Sequence, residues 1–179
     1  MISSLTVNKY RFVQTRRRRY QLRDEEEIIA QITLGKGTRA TVSTASEEFE
    51  LDVVPGIRPR VVRQDRADST IARAASTAKF AIDLPQVTLY WQSLAKLSVD
   101  YGWALSDGSV VVSYAATAGG STRDFIVEVD SEALALDVIE HVLTIGAYLL
   151  ALTCIELAPI TGTHAAARAP SLAFSRGAR

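Results

Sequence analysis

The chain has 179 residues, with 20 Lys and Arg balanced by 20 Asp and Glu. At 47% hydrophobic and 22% charged residues, it carries the apolar mass of one packed domain, which excludes both a disordered chain and a globally basic nucleic-acid binder. The single cysteine, Cys154, excludes an intrachain disulfide framework and a thiolate metal site.

From the start to Val13, polar and apolar residues alternate and lead straight into arginines, which is not the pattern of a secretory leader. A cytoplasmic protein follows by default. Residues 9–13, 19–23, 40–43, 49–53, 87–91 and 125–129 all alternate polar with apolar side chains, the period of a half-buried strand. Breakers separate them at Gly35 and Gly37, Pro55 and Gly56, Pro59, Pro85, Asp107 and Gly108, and Gly119 and Gly120. Spacing of roughly ten residues per strand and turn predicts an antiparallel meander of about ten to twelve strands in a sandwich or barrel.

An internal repetition supports this. Residues 22–32, 62–74 and 105–114 each read as a strand, an aspartate at a tight polar turn (Asp24, Asp65, Asp107), then a second strand of β-branched and small residues. An aspartate in that place accepts backbone N–H bonds within the turn, so these aspartates read as turn formers rather than catalytic acids. Repeated hairpins suggest a sheet closed on itself, without exposed edges.

Residues 133–155 then change character. Asp137, Glu140 and His141 mark the first turns, and from Val142 onward no polar stripe remains. The uninterrupted apolar run, 142–155, is shorter than the roughly 18 to 20 residues a spanning helix needs. A helix apolar all round must be surrounded by its own protein instead. Ser131 stands as N-cap, with Glu132 in the first turn. The lumen of a dozen-stranded barrel is wider than its own side chains fill, so the helix, at about 132–156, should thread it. The expected fold is therefore a closed antiparallel barrel of about 12 strands enclosing a C-terminal hydrophobic helix, over residues 1–157. Residues 158–179, rich in Ala, Pro, Ser, Thr, Gly and Arg, read as a flexible tail.

The strand–Asp–strand hairpins, the segment 101–112 (YGWALSDGSVVV) and the late segment 136–157 together resemble the tubby C-terminal-like superfamily, which includes tubby proteins, phospholipid scramblases and LURP-one-related proteins. Order and spacing over residues 5–157 carry the likeness rather than any single motif. The resemblance implies a barrel around a central helix and a non-enzymatic role, with basic side chains on the outer surface meeting phosphoinositide or other anionic lipid head groups. It offers no catalytic residue. The cysteine-rich segment and longer C-terminal membrane segment of scramblase-like proteins have no counterpart here.

The candidate surface is the run Arg16, Arg17, Arg18 and Arg19, with Lys9, Arg11 and Arg23 beside it. Arginine forks match phosphate oxygens bidentately, and Tyr10 and Tyr20 are placed to flank a head group. Against this, Asp24, Glu25, Glu26 and Glu27 follow at once and nearly cancel the local charge, as in a solvated turn. A second cluster, Arg58, Arg60, Arg63 and Arg66, is interleaved with Asp65 and Asp68 and is weaker.

Enzyme motifs fail. Ser76 with Lys79 and Ser93 with Lys96 match Ser-x-x-Lys, but in strand or turn contexts and without companion motifs. His141 and His164 stand too far apart in context for a metal site, and His141 reads as a polar residue at the barrel mouth bonded to a backbone group. Asp124, Glu128 and Asp130 share a strand face and read as solvated. Neither cofactor nor metal is expected. Two roles survive: a peripheral adaptor for anionic membrane lipid, or a soluble protein-interaction or scaffold domain with a protein partner or a second copy, in neither case binding nucleic acid.

Overall fold

The alternation read from the sequence is the alternation of a barrel wall. The structure, a computed structural model, describes residues 7–65, 69–75, 80–94, 100–117, 124–130 and 136–157. The Ser131 cap, residues 76–79, Lys96, His164 and the tail at 158–179 lie outside them. Twelve strands follow in order: β1 (Val7–Arg16), β2 (Arg19–Asp24), β3 (Glu27–Leu34), β4 (Ala40–Thr44), β5 (Glu48–Val54), β6 (Arg60–Arg63), β7 (Ser69–Arg73), β8 (Phe80–Asp83), β9 (Thr88–Ser93), β10 (Tyr101–Ala104), β11 (Val110–Ala116) and β12 (Asp124–Asp130). Each pairs antiparallel with its sequence neighbour, and β1 closes the ring on β12 through a register running from Val7 opposite Asp130 to Val13 opposite Asp124. Closure leaves no free sheet edge.

Such a meander has two rims. The β1–β2, β3–β4 and β5–β6 turns share one, and the β2–β3, β4–β5 and β6–β7 turns share the other. Local chemistry makes several of these turns. Arg18 and Glu25 take left-handed backbone angles in the first two. In the β10–β11 turn, Asp107 accepts the Ser109 N–H at 2.9 Å and Gly108 supplies a φ of 89°, and these N–H bonds hold the Asp107 carboxyl below its usual range. Asp107 is thus the turn former expected. Asp65 instead pairs with Arg63 at 2.7 Å, and at the β2–β3 turn the left-handed residue is Glu25 rather than Asp24. The repeated aspartates therefore mark turns by different means.

The helix α1 (Leu136–Leu157) occupies the bore. Its described residues from 142 to 151 are all buried, and its contacts come from opposite sides of the ring. Trp103 on β10 donates its indole N–H to the Val142 carbonyl at 3.2 Å, and Tyr114 on β11 donates its hydroxyl to the Leu143 carbonyl at 2.9 Å. Across the bore, the Tyr148 hydroxyl donates to the Thr38 carbonyl, just past β3, at 2.6 Å. Helix carbonyls have a second lone pair, so these bonds add to the intrahelical ladder rather than break it. Burial pushes the Tyr114 phenol well above its ordinary pKa, keeping it a donor.

Gly146 makes the close approach possible. It lies one helical turn beyond Val142, and an added Cβ would stand 2.3 Å from the Tyr114 hydroxyl oxygen and 2.7 Å from the Trp103 indole nitrogen. A glycine inside a helix ordinarily costs about 1 kcal/mol relative to alanine. Here that cost is offset by the two ring contacts and by the aromatic cluster behind them, in which Trp91 lies 5.0 Å from Trp103 and 5.5 Å from Tyr114. Cys154, near the far end of α1, is 6% exposed, and burial pushes its thiol up to about 12, the state of an inert core side chain.

Gly146→Ala should therefore destabilise the fold by about 1–3 kcal/mol through overpacking, where at an open helix position it would stabilise. Urea unfolding of the variant measures this directly, and a raised midpoint would show that Trp103 and Tyr114 do not meet the helix as described.

Candidate functional site

The arginine run falls at the tip of the β1–β2 hairpin. Arg16 and Arg19 face each other across the pair, with Arg17 and Arg18 in the turn. Arg18 is structural: its Nε donates to the Leu34 carbonyl at 3.2 Å, its Nη2 donates to the Gly35 carbonyl, and its own carbonyl accepts the Leu34 N–H at 2.8 Å. It ties the hairpin tip to the end of β3. Arg16, Arg17 and Arg19 are exposed and have no carboxylate partner among the described residues.

The remaining candidates lie further down the wall. Lys9 pairs with Glu128 at 3.0 Å, while Arg11 and Arg23 sit opposite each other. The Arg23 guanidinium donates to the Gln21 side chain at 2.6 and 3.0 Å. The seven expected residues thus form a tip group and a wall group, not one cluster. The tyrosines do not flank a head group. Tyr20 is 2% exposed and stacks on Phe12 at 5.3 Å between ring centroids, and Tyr10 shares that inward parity and packs against the core. Neighbouring strand residues face opposite sides, so Arg19 outward requires Tyr20 inward.

The acids that cancel the arginines in sequence do not do so in space. The β2–β3 turn holding Glu25 and Glu26 lies at the opposite rim, one six-residue strand away. That is about 20 Å, well beyond the screening length of about 8 Å at physiological salt. The same separation continues round the ring. The β1–β2, β3–β4 and β5–β6 turns carry Arg17, Arg18, Lys36, Arg39 and Arg58 and no carboxylate. On the other rim, the β2–β3 and β4–β5 turns carry Glu25, Glu26 and Glu47 and no cation, and the described part of the β6–β7 turn adds Asp65. Across these turns a neutral chain sorts cations to one rim and carboxylates to the other, although Asp100 in the β9–β10 connection stands on the basic side. Lys36 and Arg39 escape sequence reading because they stand alone along the chain, and only closure of the meander brings them beside Arg17.

On the basic rim, Ile57 rises from the β5–β6 turn at 97% exposure, next to Arg58. The second arginine cluster divides. Arg58 and Arg60 belong to this side, whereas Arg63 points to the acidic rim, forked onto Glu47 at 2.7 and 2.8 Å and lying 4.2 Å over the Phe49 ring. Arg66 lies outside the described residues.

His141 stands at the acidic mouth, where α1 enters. Its expected bond to a backbone group is not formed; the ring reaches solvent there without a hydrogen bond among the described residues. Although its edge is exposed, the surrounding wall lowers its pKa from 6.5, the Arg63 charge lowers it further, and Glu47 acts in the opposite direction. Among the described residues no three potential metal ligands gather, and no helix is long and apolar enough to cross a membrane.

The lowered His141 pKa fixes the sign of a pH effect. The folded protein holds His141 neutral while the unfolded chain takes up a proton near pH 6.5, so stability falls as pH drops through about 6.5 towards the folded value. His141→Gln should flatten the decline of the urea midpoint between about pH 7.5 and 5.5; an unchanged slope would assign the decline to other groups.

Set beside known proteins, the chain finds no match: no family model, curated protein or solved structure corresponds to it, so the tubby-like kinship stays a resemblance read from the sequence.

Proposed function

We propose that this barrel is a non-enzymatic binding module that docks its basic rim on an anionic phospholipid surface. The observation that carries the reading is the composition of that rim. Three turns of that rim present Arg17, Lys36, Arg39 and Arg58 and contribute no carboxylate of their own, Arg39 reaching Asp52 on β5 at 4.0 Å, and the third raises a fully exposed isoleucine, Ile57, among them. Cations near an anionic leaflet contribute about 1 kcal/mol each, and one apolar side chain inserted at head-group depth adds a hydrophobic contribution that salt does not screen. Arg18 braces the hairpin tip against β3, so Arg16, Arg17 and Arg19 are offered by a fixed turn. Arginine suits phosphate because its planar fork pairs two oxygens at once. The hydrophobic helix itself takes no part, since the barrel wall already surrounds it.

Flotation with vesicles containing phosphatidylserine tests this. Replacing Arg16, Arg17 and Arg19 together with alanine should weaken capture by about a hundredfold. Ile57→Asp should weaken it further and remove the residue that persists at high salt. Capture equal for wild type and both variants, or absent for wild type, would overturn the reading.

A further inference from the structure

We infer that a groove on the outer wall of the barrel, lined by Arg58, Arg60, Arg73 and Tyr90, is a binding site for a small organic phosphate monoester. This goes beyond membrane docking and does not depend on it. The groove is open to solvent and offers about 1120 Å³, more than the roughly 300–1,000 Å³ of a typical small-molecule site, so a small ligand occupies only part of it. It follows one hydrogen-bonding row of the sheet. Arg60 faces Arg73, Arg73 faces Ala81, Ala81 faces Tyr90, and Tyr90 faces Ala104. Residues directly opposite in such a row share a face. Ala81 itself is fully buried, so the groove surface between the arginine pair and Tyr90 comes from Thr70, Ala74 and Ala75, and the turn carrying Ser106 completes the lining.

The charge in the groove is one-sided. None of its lining residues is acidic, and Arg58 and Arg60 have no ion-pair partner among the described residues. Arg60 stands directly opposite Arg73 across the strand pair, and because Arg73 is paired with Asp83, the uncompensated cations are Arg58 and Arg60, which an anion in the groove balances. Among the described residues two carboxylates stand near the groove and both are engaged: Asp107, between Ser106 and Gly108, accepts the Ser109 N–H at 2.9 Å, and Asp83 accepts from the Arg73 Nε at 2.5 Å and Nη2 at 2.8 Å, and from the Thr88 hydroxyl at 2.9 Å. That pairing fixes the Arg73 guanidinium at the groove edge with its Nη1 left to donate. Arg60 and Arg73 on neighbouring strands are about 5 Å apart at the backbone, a spacing at which two forks converge on one phosphate. Tyr90 lies two strands beyond Arg73, about 10 Å away, and Gln92 on the same strand adds a neutral donor and acceptor. The ligand so described has a terminal phosphate dianion and a planar or apolar body that lies against the Tyr90 ring.

Phenyl phosphate, which has both parts, is the probe, followed by calorimetric or NMR titration into the full chain. Wild type should bind it saturably, inorganic phosphate should compete, and phenol should not bind. Arg60→Ala and Arg58→Ala, both exposed positions, should each weaken binding about tenfold or more. The variant lacking Arg16, Arg17 and Arg19 should bind as wild type does, which separates this site from the membrane-docking rim. Vesicles containing phosphatidic acid identify the source of the phosphate. Capture that needs Arg60 places it on a lipid, and phenyl phosphate binding without such capture places it on a soluble molecule. No saturable binding by wild type, or equal binding by Arg60→Ala, would overturn the inference.

Discussion

A closed sheet of twelve strands encloses a bore that its inward side chains cannot fill alone, and α1 is what fills it. The helix must therefore be apolar all round, and it must be gripped at fixed height, because a smooth apolar cylinder in an apolar tube has no preferred depth. The grip comes from three hydrogen bonds that reach from opposite walls: Trp103 and Tyr114 to the carbonyls of Val142 and Leu143, and Tyr148 to that of Thr38. Gly146 lets the first two rings come close enough to make them. Removing the helix would leave those aromatic groups facing an empty bore, so wall and helix form one cooperative unit rather than a shell and an insert.

The position of the helix also bears on the charges outside. Its N-terminus lies at the rim carrying Glu25, Glu26 and Glu47, and its C-terminus at the rim carrying Arg17, Lys36 and Arg39. The helix dipole places positive partial charge at the first end and negative at the second, so each rim complements the terminus it surrounds. The antiparallel wall contributes little dipole of its own. Segregation of charge at these turns is thus compatible with stability.

Much of the architecture was legible in the chain because it depends on periodicity. Period-two alternation at 19–23 and 49–53 survives in β2 and β5, and the all-round apolar run from Val142 admits few surroundings other than the bore of a barrel. Faces were harder to read. Tyr20 beside Arg19 looks like a partner in sequence, yet alternation sends one in and the other out. The carboxylates at 24–27 look like the neutralising partners of Arg16 to Arg19, yet a strand of six residues carries them to the other rim. Proximity along a strand and proximity in a barrel are different quantities, and only the ring order converts one into the other. The groove was illegible for the same reason: Arg60, Arg73 and Tyr90 are scattered along the chain and meet only through the register of β6 to β9.

Native-state hydrogen exchange tests the central claim, that α1 is the core of the barrel rather than an element leaning on it. Amides from 142 to 150 should exchange only through global unfolding, with the same free energy as those of β10 and β11 and as urea denaturation. Exchange of the helix amides at a distinctly lower free energy than the strands would show that the helix leaves a barrel that stands without it, and would contradict the account.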